Sequence, residues 1–390
     1  MRILICTDFS LINSCAGLTK MMKVRESLNI YGVQTFIAGF AEDNEKLNNL
    51  NENNIIFYLP KNKLLPFKFW KNMYGSVYFY KKNLQKILKD FSIDCVIIYS
   101  AFSTVIEPLT KICKRNNVKV TAYVGEFFSF SLERLVKGVL FMQNKAFFKS
   151  MKSLDGLICA SPAWELHSNK LGIKSVMLPT FKEEKITDFV SNKDIEKTKF
   201  RIVIISNLTK REYPLIIFKA MRILQNRKKN VELYVIGKKP LLSLRNFFNS
   251  LKMRLYLLGL RNVFFTGYID NSYRNELMLS ADSFILLRSK SKETKYLFPV
   301  RIGEYFAAGK PLILSFVEPF SLYFKHKKEV YFISKDNNPN ELFEAIVNLK
   351  NDEKLKKSIG KNCHEYANKY FSNKYLGGKL FQFLNDVITN

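Results

Sequence analysis

The sequence is poor in histidine and in acid, and it has no long apolar run. Its three histidines, His167, His326 and His364, stand far apart, so a zinc site would require all of them to converge, and each reads as a surface or cap residue. The six cysteines, Cys6, Cys15, Cys95, Cys113, Cys159 and Cys363, form no CxxC pair. Most sit in apolar, strand-like settings, which reads as reduced core thiols in a cytosolic protein rather than a disulfide framework. Apolar runs are broken by Lys, Arg or Asn well before the roughly 18 residues a spanning helix needs. The opening MRILICTDFS reads as a first buried strand and not as a signal peptide, placing the protein inside a cell. Acidic residues number 34 against 62 lysines and arginines, a formal charge of +28. Such an excess suits nucleic acid, an anionic membrane surface or a phosphate-rich substrate, or reflects the Lys, Asn, Ile and Phe bias of an AT-rich genome.

What the chain does have is alternation. Strand-like runs occur at RILICTD, VQTFIAGF, NIIFYLP, CVIIYS, VKVTAYVG, DGLICAS and KSVMLPT, then at FRIVIIS, ELYVIGK, VFFTGY, SFILLR, PLILSF and EVYFIS, with helix-like stretches between. That order predicts α/β architecture, two Rossmann-like doubly wound domains. The polar stretch 182–200 lacks an apolar period. It divides the chain into a domain over 1–185, a linker over 186–199 and a second domain over 200–370, with 371–390 a closing helix that packs back on the first domain. Two such domains facing a central cleft would bring the carboxyl ends of both sheets together, where open α/β folds bind ligands.

The stretch FPVRIGEYFAAGKPLIL, 298–314, carries the most chemistry. Pro299 at a first helical position and Gly309 at a left-handed stop predict a helix of about ten residues. Arg301 falls in its first turn, where the dipole disfavours a cation unless an anion is present. Glu304, one turn on, is able to accept both hydroxyls of a diol such as ribose. The plain alternative is an exposed i,i+3 pair worth a few tenths of a kcal/mol, roughly. A second loop, in SNLTKREYPLIIFKAM, sets Lys210 and Arg211 at the end of a strand, where two cations suit a diphosphate, although charged loop tips are often merely solvated. In the first half, Ala16-Gly17 opens a helix after the first strand, a place where glycine lets a ligand approach the backbone or simply serves the turn.

With these residues in hand the chain resembles bacterial glycosyltransferases of family 4, enzymes of the GT-B fold that take a sugar from a nucleotide-diphosphate donor. The second-domain helix of that family reads Pro-x-Lys then Glu-Tyr-x-Ala-x-Gly-x-Pro, and Phe298 to Pro311 follows it with Arg301 in place of Lys. The resemblance implies that Glu304 binds the donor ribose, that the backbone at Pro299 and Val300 receives the diphosphate, and that Lys210 and Arg211 hold it, Arg211 with a catalytic part. It implies that Gly237, Tyr268 and Ile269 border the donor base and that Arg288 lines the approach. By the same resemblance Gly17 takes the place of the family's Gly-Gly loop and is donor-binding, and Glu126 takes that of a catalytic acid facing the acceptor. One position departs: relatives carry a second glutamate eight residues before Glu304, where this chain has Tyr296, with Glu293 nearby but out of register. No Asp-x-Asp motif is present, in agreement with a metal-independent, cofactor-free enzyme using UDP or GDP sugars, with retention of configuration the family's expectation.

Residues 61–89 hold eight lysines, no acid and a dense aromatic set, and 130–152 has the same flavour. Such stretches suit an anionic headgroup surface, about 1 kcal/mol per Lys, or else amphipathic helices with lysine on the wet side. In relatives that extend lipid-linked saccharides the acceptor domain docks on the membrane, which implies a cytoplasmic protein bound peripherally to the inner face, serving cell-surface polysaccharide synthesis. Nucleic acid is not expected as a partner, since the basic stretches are Lys-rich and no recognition module is present. The alternatives are a basic nucleic-acid-binding protein, a GT-B relative without catalysis, and a nucleotide-sugar epimerase of similar fold.

Overall fold

The computed structural model describes residues 1–10, 16–40, 55–58, 68–100, 102–125, 146–187, 199–240, 247–334 and 336–389. Among the described residues thirteen strands fall on the thirteen apolar runs: β1 (Arg2–Ser10), β2 (Gln34–Phe40), β3 (Ile55–Tyr58), β4 (Cys95–Tyr99), β5 (Lys119–Val124), β6 (Gly156–Cys159), β7 (Ser175–Met177), β8 (Phe200–Ile205), β9 (Val231–Ile236), β10 (Val263–Gly267), β11 (Ser283–Leu286), β12 (Leu312–Ser315) and β13 (Tyr331–Ile333). All their pairings are parallel, and they form two sheets, ordered β3-β2-β1-β4-β5-β6-β7 and β10-β9-β8-β11-β12-β13.

The chain divides into two compact units: one of Met1–Phe181, Tyr296–Val300 and Ser372–Asn390, the other of Lys182–Lys295 and Arg301–Phe371. In the first, alternate residues of β1 supply opposite faces of the sheet. Leu4 and Cys6 join Tyr80, Leu84, Ile106 and Trp164 on one face, and Ile3 and Ile5 join Met21, Val24, Leu380 and Leu384 on the other. Burial on both faces is why these strands read as continuous apolar runs rather than alternating ones. The closing helix Asn373–Thr389 lies in this unit against the helix Ala16–Asn29, with Tyr31 stacked on Phe381 at 5.5 Å and its hydroxyl donating to Lys374 O.

Tyr296–Val300 also belongs to the first unit, whereas the sequence division keeps all of 200–370 in the second domain. Tyr296 packs at 4.7 Å from the Trp164 indole, Phe298 is buried, and Thr180 Oγ1 donates to Val300 O. The helix of the stretch 298–314 therefore spans Arg301–Ala307, shorter than expected and beginning after Pro299 rather than at it. Gly309, at φ +64, ends it as read, because only glycine adopts that left-handed turn without a Cβ penalty.

Of the basic stretch 61–89, residues 61–67 lie outside the described residues; the remainder belongs to the helix Lys68–Asp90. Val77, Tyr80, Leu84, Ile87 and Leu88 face the core, while Tyr78, Lys81, Lys82, Lys86 and Lys89 are exposed. Residues 130–145 are likewise outside the described residues, and Phe147 and Met151 of the second stretch are buried. Among the described residues no helix is long and apolar enough to cross a membrane.

The second unit buries Ile202, Ile204, Leu233 and Val235 beneath the helices Pro214–Asn226 and Pro339–Asn351. Its strand order reverses between β8 and β11, and the crevice outside the carboxyl ends at such a reversal is where this architecture takes ligands.

Candidate functional site

The carboxyl end of β8 runs into a tight loop whose shape is set by one side chain. Glu212 accepts hydrogen bonds at Oε2 from Ser206 Oγ (2.8 Å) and Thr209 N (3.2 Å), closing the loop on itself. Ser206 Oγ in turn accepts from Leu208 N at 2.9 Å. Leu208 (φ 53) and Tyr213 (φ 47) are both left-handed, a conformation that costs a non-glycine residue about 1–3 kcal/mol and persists only where the surroundings impose it. The turn Lys210–Glu212 lies between them, and Pro214 then starts a helix.

Glu212 Oε1 faces two guanidiniums. Arg301 Nη2 donates to it and Arg301 Nη1 donates to Ile205 O, while Arg288 Nη1 lies 3.5 Å from the same Oε1. Arg288 comes from the end of β11, its backbone held by Ser315 Oγ and Asn337. Tyr305 fixes the helix that carries Arg301: its ring stacks on Phe284 at 4.3 Å and its hydroxyl accepts from Ile205 N at 2.9 Å. Burial pushes that hydroxyl up to about 12.

The charges respond as two cations sharing one anion. Burial alone would raise the Glu212 carboxyl, but Arg301 and then Arg288 outweigh it and hold the pKa below its ordinary value. Burial works against the Arg301 charge too, and Glu212 outweighs it, leaving that pKa raised. Arg288 loses the contest: burial and then the like charge of Arg301 push it down to about 10. The cluster is mostly buried, with 8% of the Glu212 side chain exposed, 13% of Arg288 and 25% of Arg301. Two guanidiniums against one carboxylate leave an excess of one positive charge at the mouth of the sheet.

Glu304 and Arg301 do not pair with each other, contrary to the plain i,i+3 alternative. Glu304 Oε2 lies 2.8 Å from Arg274 Nη2 of the helix Asn271–Leu279, yet has no aligned hydrogen-bond donor. Arg211 Nη2 contacts Glu293 Oε2 at 2.7 Å. Lys210 stands beside Arg211 in the same turn.

Gly237, after β9, is at φ +155, and a Cβ there would fall 2.1 Å from Ser206 O, so glycine alone fits against the β8 loop. It bridges Gly267, beyond which Tyr268 is 78% exposed with Lys238 Nζ 4.9 Å over its ring and Ile269 half-buried beside it. The second unit thus brings together Arg211, Arg288, Arg301, Glu304, Gly237 and Tyr268. Pro299 is buried and Val300 O is taken by Thr180, both in the first unit. Gly17 lies in the first turn of the helix Ala16–Asn29, and Glu126 is outside the described residues.

Sequence reading missed Glu212 and Arg274. Glu212 closes the triplet Lys-Arg-Glu, where an acid after two cations looks like local compensation; its partners lie 76 and 89 positions away, and no spacing announces them. The anion that the position of Arg301 calls for is thus supplied first by the chain itself.

No curated protein matches the chain by sequence. Among solved structures, HepE of Anabaena in complex with UDP-glucose is 15% identical, covers 99% of this chain and 100% of its own, and has a TM-score of 0.73. Sucrose-phosphate synthase of Thermosynechococcus elongatus is 13% identical over 100% of this chain and 99% of its own, at 0.75. A glycosyltransferase of Rickettsia africae is 15% identical over 100% and 99%, at 0.72. Likeness at such low identity bears on fold, and the fold shared is GT-B. Residues 185–366, which carry Glu212, Arg288, Arg301 and Glu304, match the family model of glycosyl transferases group 1.

Proposed function

We propose that the protein is a glycosyltransferase whose second unit binds a nucleotide-diphosphate sugar, UDP- or GDP-linked. One observation carries the reading: at the switch point of the second sheet, two buried guanidiniums share a single carboxylate. A diphosphate is the natural complement of that excess, and Arg211, Arg288 and Arg301 bind it by charge-assisted hydrogen bonds. When the bond between the anomeric carbon and the phosphate oxygen breaks, the leaving diphosphate gains negative charge, and preorganised cations stabilise that gain without reorganisation. Glu304 accepts the ribose hydroxyls once Arg274 is drawn aside, Tyr268 and Ile269 border the base, and Lys210 adds to the phosphate contacts. No resident metal or cofactor is required in this scheme.

The finer reading places the protein in family 4, with retention of configuration and a saccharide or lipid-linked saccharide as acceptor, and Glu126 on the acceptor side. An anionic leaflet is contacted through the lysine face of Lys68–Asp90. Tyr80 and Leu84 serve the core, and the exposed face carries Tyr78 beside Lys81, Lys82, Lys86 and Lys89.

The test is the thermal transition with UDP, GDP, ADP, CDP and dTDP. A nucleotide at about a hundred times its Kd adds roughly 2.7 kcal/mol. A shift with one base and not the others supports the donor site and names the nucleotide. Absence of any shift, or kinetics unchanged in Glu304→Gln, overturns it.

A further inference from the structure

Glu293 is a buried acid that the reaction scheme above leaves without a part, and it meets one of the arginines of that scheme. It is 6% exposed and belongs to the short helix Lys292–Tyr296, which Ser291 opens by accepting from Thr294 N. Burying an ionised carboxylate is costly unless it is paired and hydrogen-bonded. Its partner is unusual for a purely structural pair: Arg211 keeps 42% of its side chain exposed, and the contact takes one Nη of a fork that carries five N–H donors. A lone arginine at the tip of a left-handed loop samples many rotamers, and each one frozen on binding costs about 0.5–1.5 kcal/mol. A carboxylate fixed in the fold removes that cost in advance and leaves the remaining donors for a ligand. The same device stands beside it, where Glu212 orients Arg301.

We propose that Glu293 is the positioning residue for Arg211, holding one edge of the guanidinium so that the other meets the donor diphosphate. Glu293 does not act on the sugar: its carboxylate is spent on Arg211 and is buried. Tyr296 does not supply that group either, since its ring packs on Trp164. The inference rests on the donor-site reading, and it assigns the out-of-register glutamate a part in binding rather than in bond cleavage.

The experiment is calorimetric binding of UDP and GDP, and of uridine and guanosine as phosphate-free controls, to the full chain and to Glu293→Gln, Arg211→Gln and the double variant, with melting temperature recorded for each. Glu293→Gln is expected to weaken the preferred diphosphate about tenfold, near 1.4 kcal/mol, to leave the nucleoside unchanged, and to add nothing once Arg211 is already Gln. Glu293→Asp recovers part of the loss. Equal weakening of diphosphate and nucleoside, or diphosphate binding unchanged in Glu293→Gln while Arg211→Gln loses it, assigns Glu293 to the fold alone and overturns the proposal. If the unaltered protein binds no nucleoside diphosphate, it is the donor-site reading that falls.

Discussion

The two ends of the second sheet each bury an arginine against a glutamate, and they do so to different effect. At the amino end Arg201 Nε donates to Glu232 at 2.8 Å, Nη1 donates to Ser280 Oγ, and the guanidinium lies 5.0 Å over the Tyr234 ring. Asp282 accepts from Arg201 N and pairs with Lys356 at 3.2 Å, and Lys356 also meets the exposed Glu353 at 2.7 Å, so each cation there has an acid of its own. At the carboxyl end Arg288 and Arg301 share Glu212, and the charges do not cancel. A balanced buried cluster needs nothing from outside and contributes to the fold at best weakly, since desolvation offsets much of the attraction. An unbalanced one is tolerated where a ligand completes it. The lesson is that counting charges at each end of the sheet separates scaffold from site, although the individual contacts look alike.

The comparison is broken most severely at Glu212. Glu212→Ala leaves two uncompensated buried guanidiniums, and we expect a loss of about 3–5 kcal/mol in urea unfolding, a loss that saturating nucleoside diphosphate partly restores. The carboxyl's pKa is held below its ordinary value of 4.5, so its ionised form stabilises the fold fully above that pH and progressively less as pH falls through the lowered value. The gap in stability between the unaltered protein and Glu212→Gln should accordingly narrow below pH 4.5.

Arg301→Gln removes a cation that the leaving group needs and keeps the helix; kcat/KM for sugar transfer should fall about 10²–10³-fold, in the range found for single preorganised donors. Gly237→Ala tests the seam between β9 and the β8 loop. With the new Cβ 2.1 Å from Ser206 O, it should cost about 1–3 kcal/mol and weaken diphosphate binding with it. The smallest effect is expected at the other end: Arg201→Met combined with Glu232→Leu should change stability by less than about 1 kcal/mol and leave transfer unaltered. A large loss of transfer there would erase the distinction between the two clusters.

Much of the fold was legible because parallel strands buried on both faces write themselves as apolar runs, and each of the thirteen is local. Gly309 was legible for the same reason, as a left-handed stop after a helix. The start of that helix was not: Pro299 carries the right signal, but Phe298 and Val300 are held in the first unit, and tertiary contacts override the local preference. Lysines on the helix Lys68–Asp90 were visible, whereas which aromatics serve the core depends on the helix's rotation against the sheet.

The sequence by itself determined the two sheets, their all-parallel character and the presence of Arg211, Arg301 and Glu304 near strand ends, because periodicity and turn chemistry act over a few residues. Only the tertiary structure decided their partners. Arg301 goes to Glu212 and not to Glu304, Glu304 goes to Arg274, and Arg211 goes to Glu293, across separations of 30 to 89 positions. Ion pairing at such distances is set by where the strand order brings side chains together, and that order is written in no local stretch of the chain.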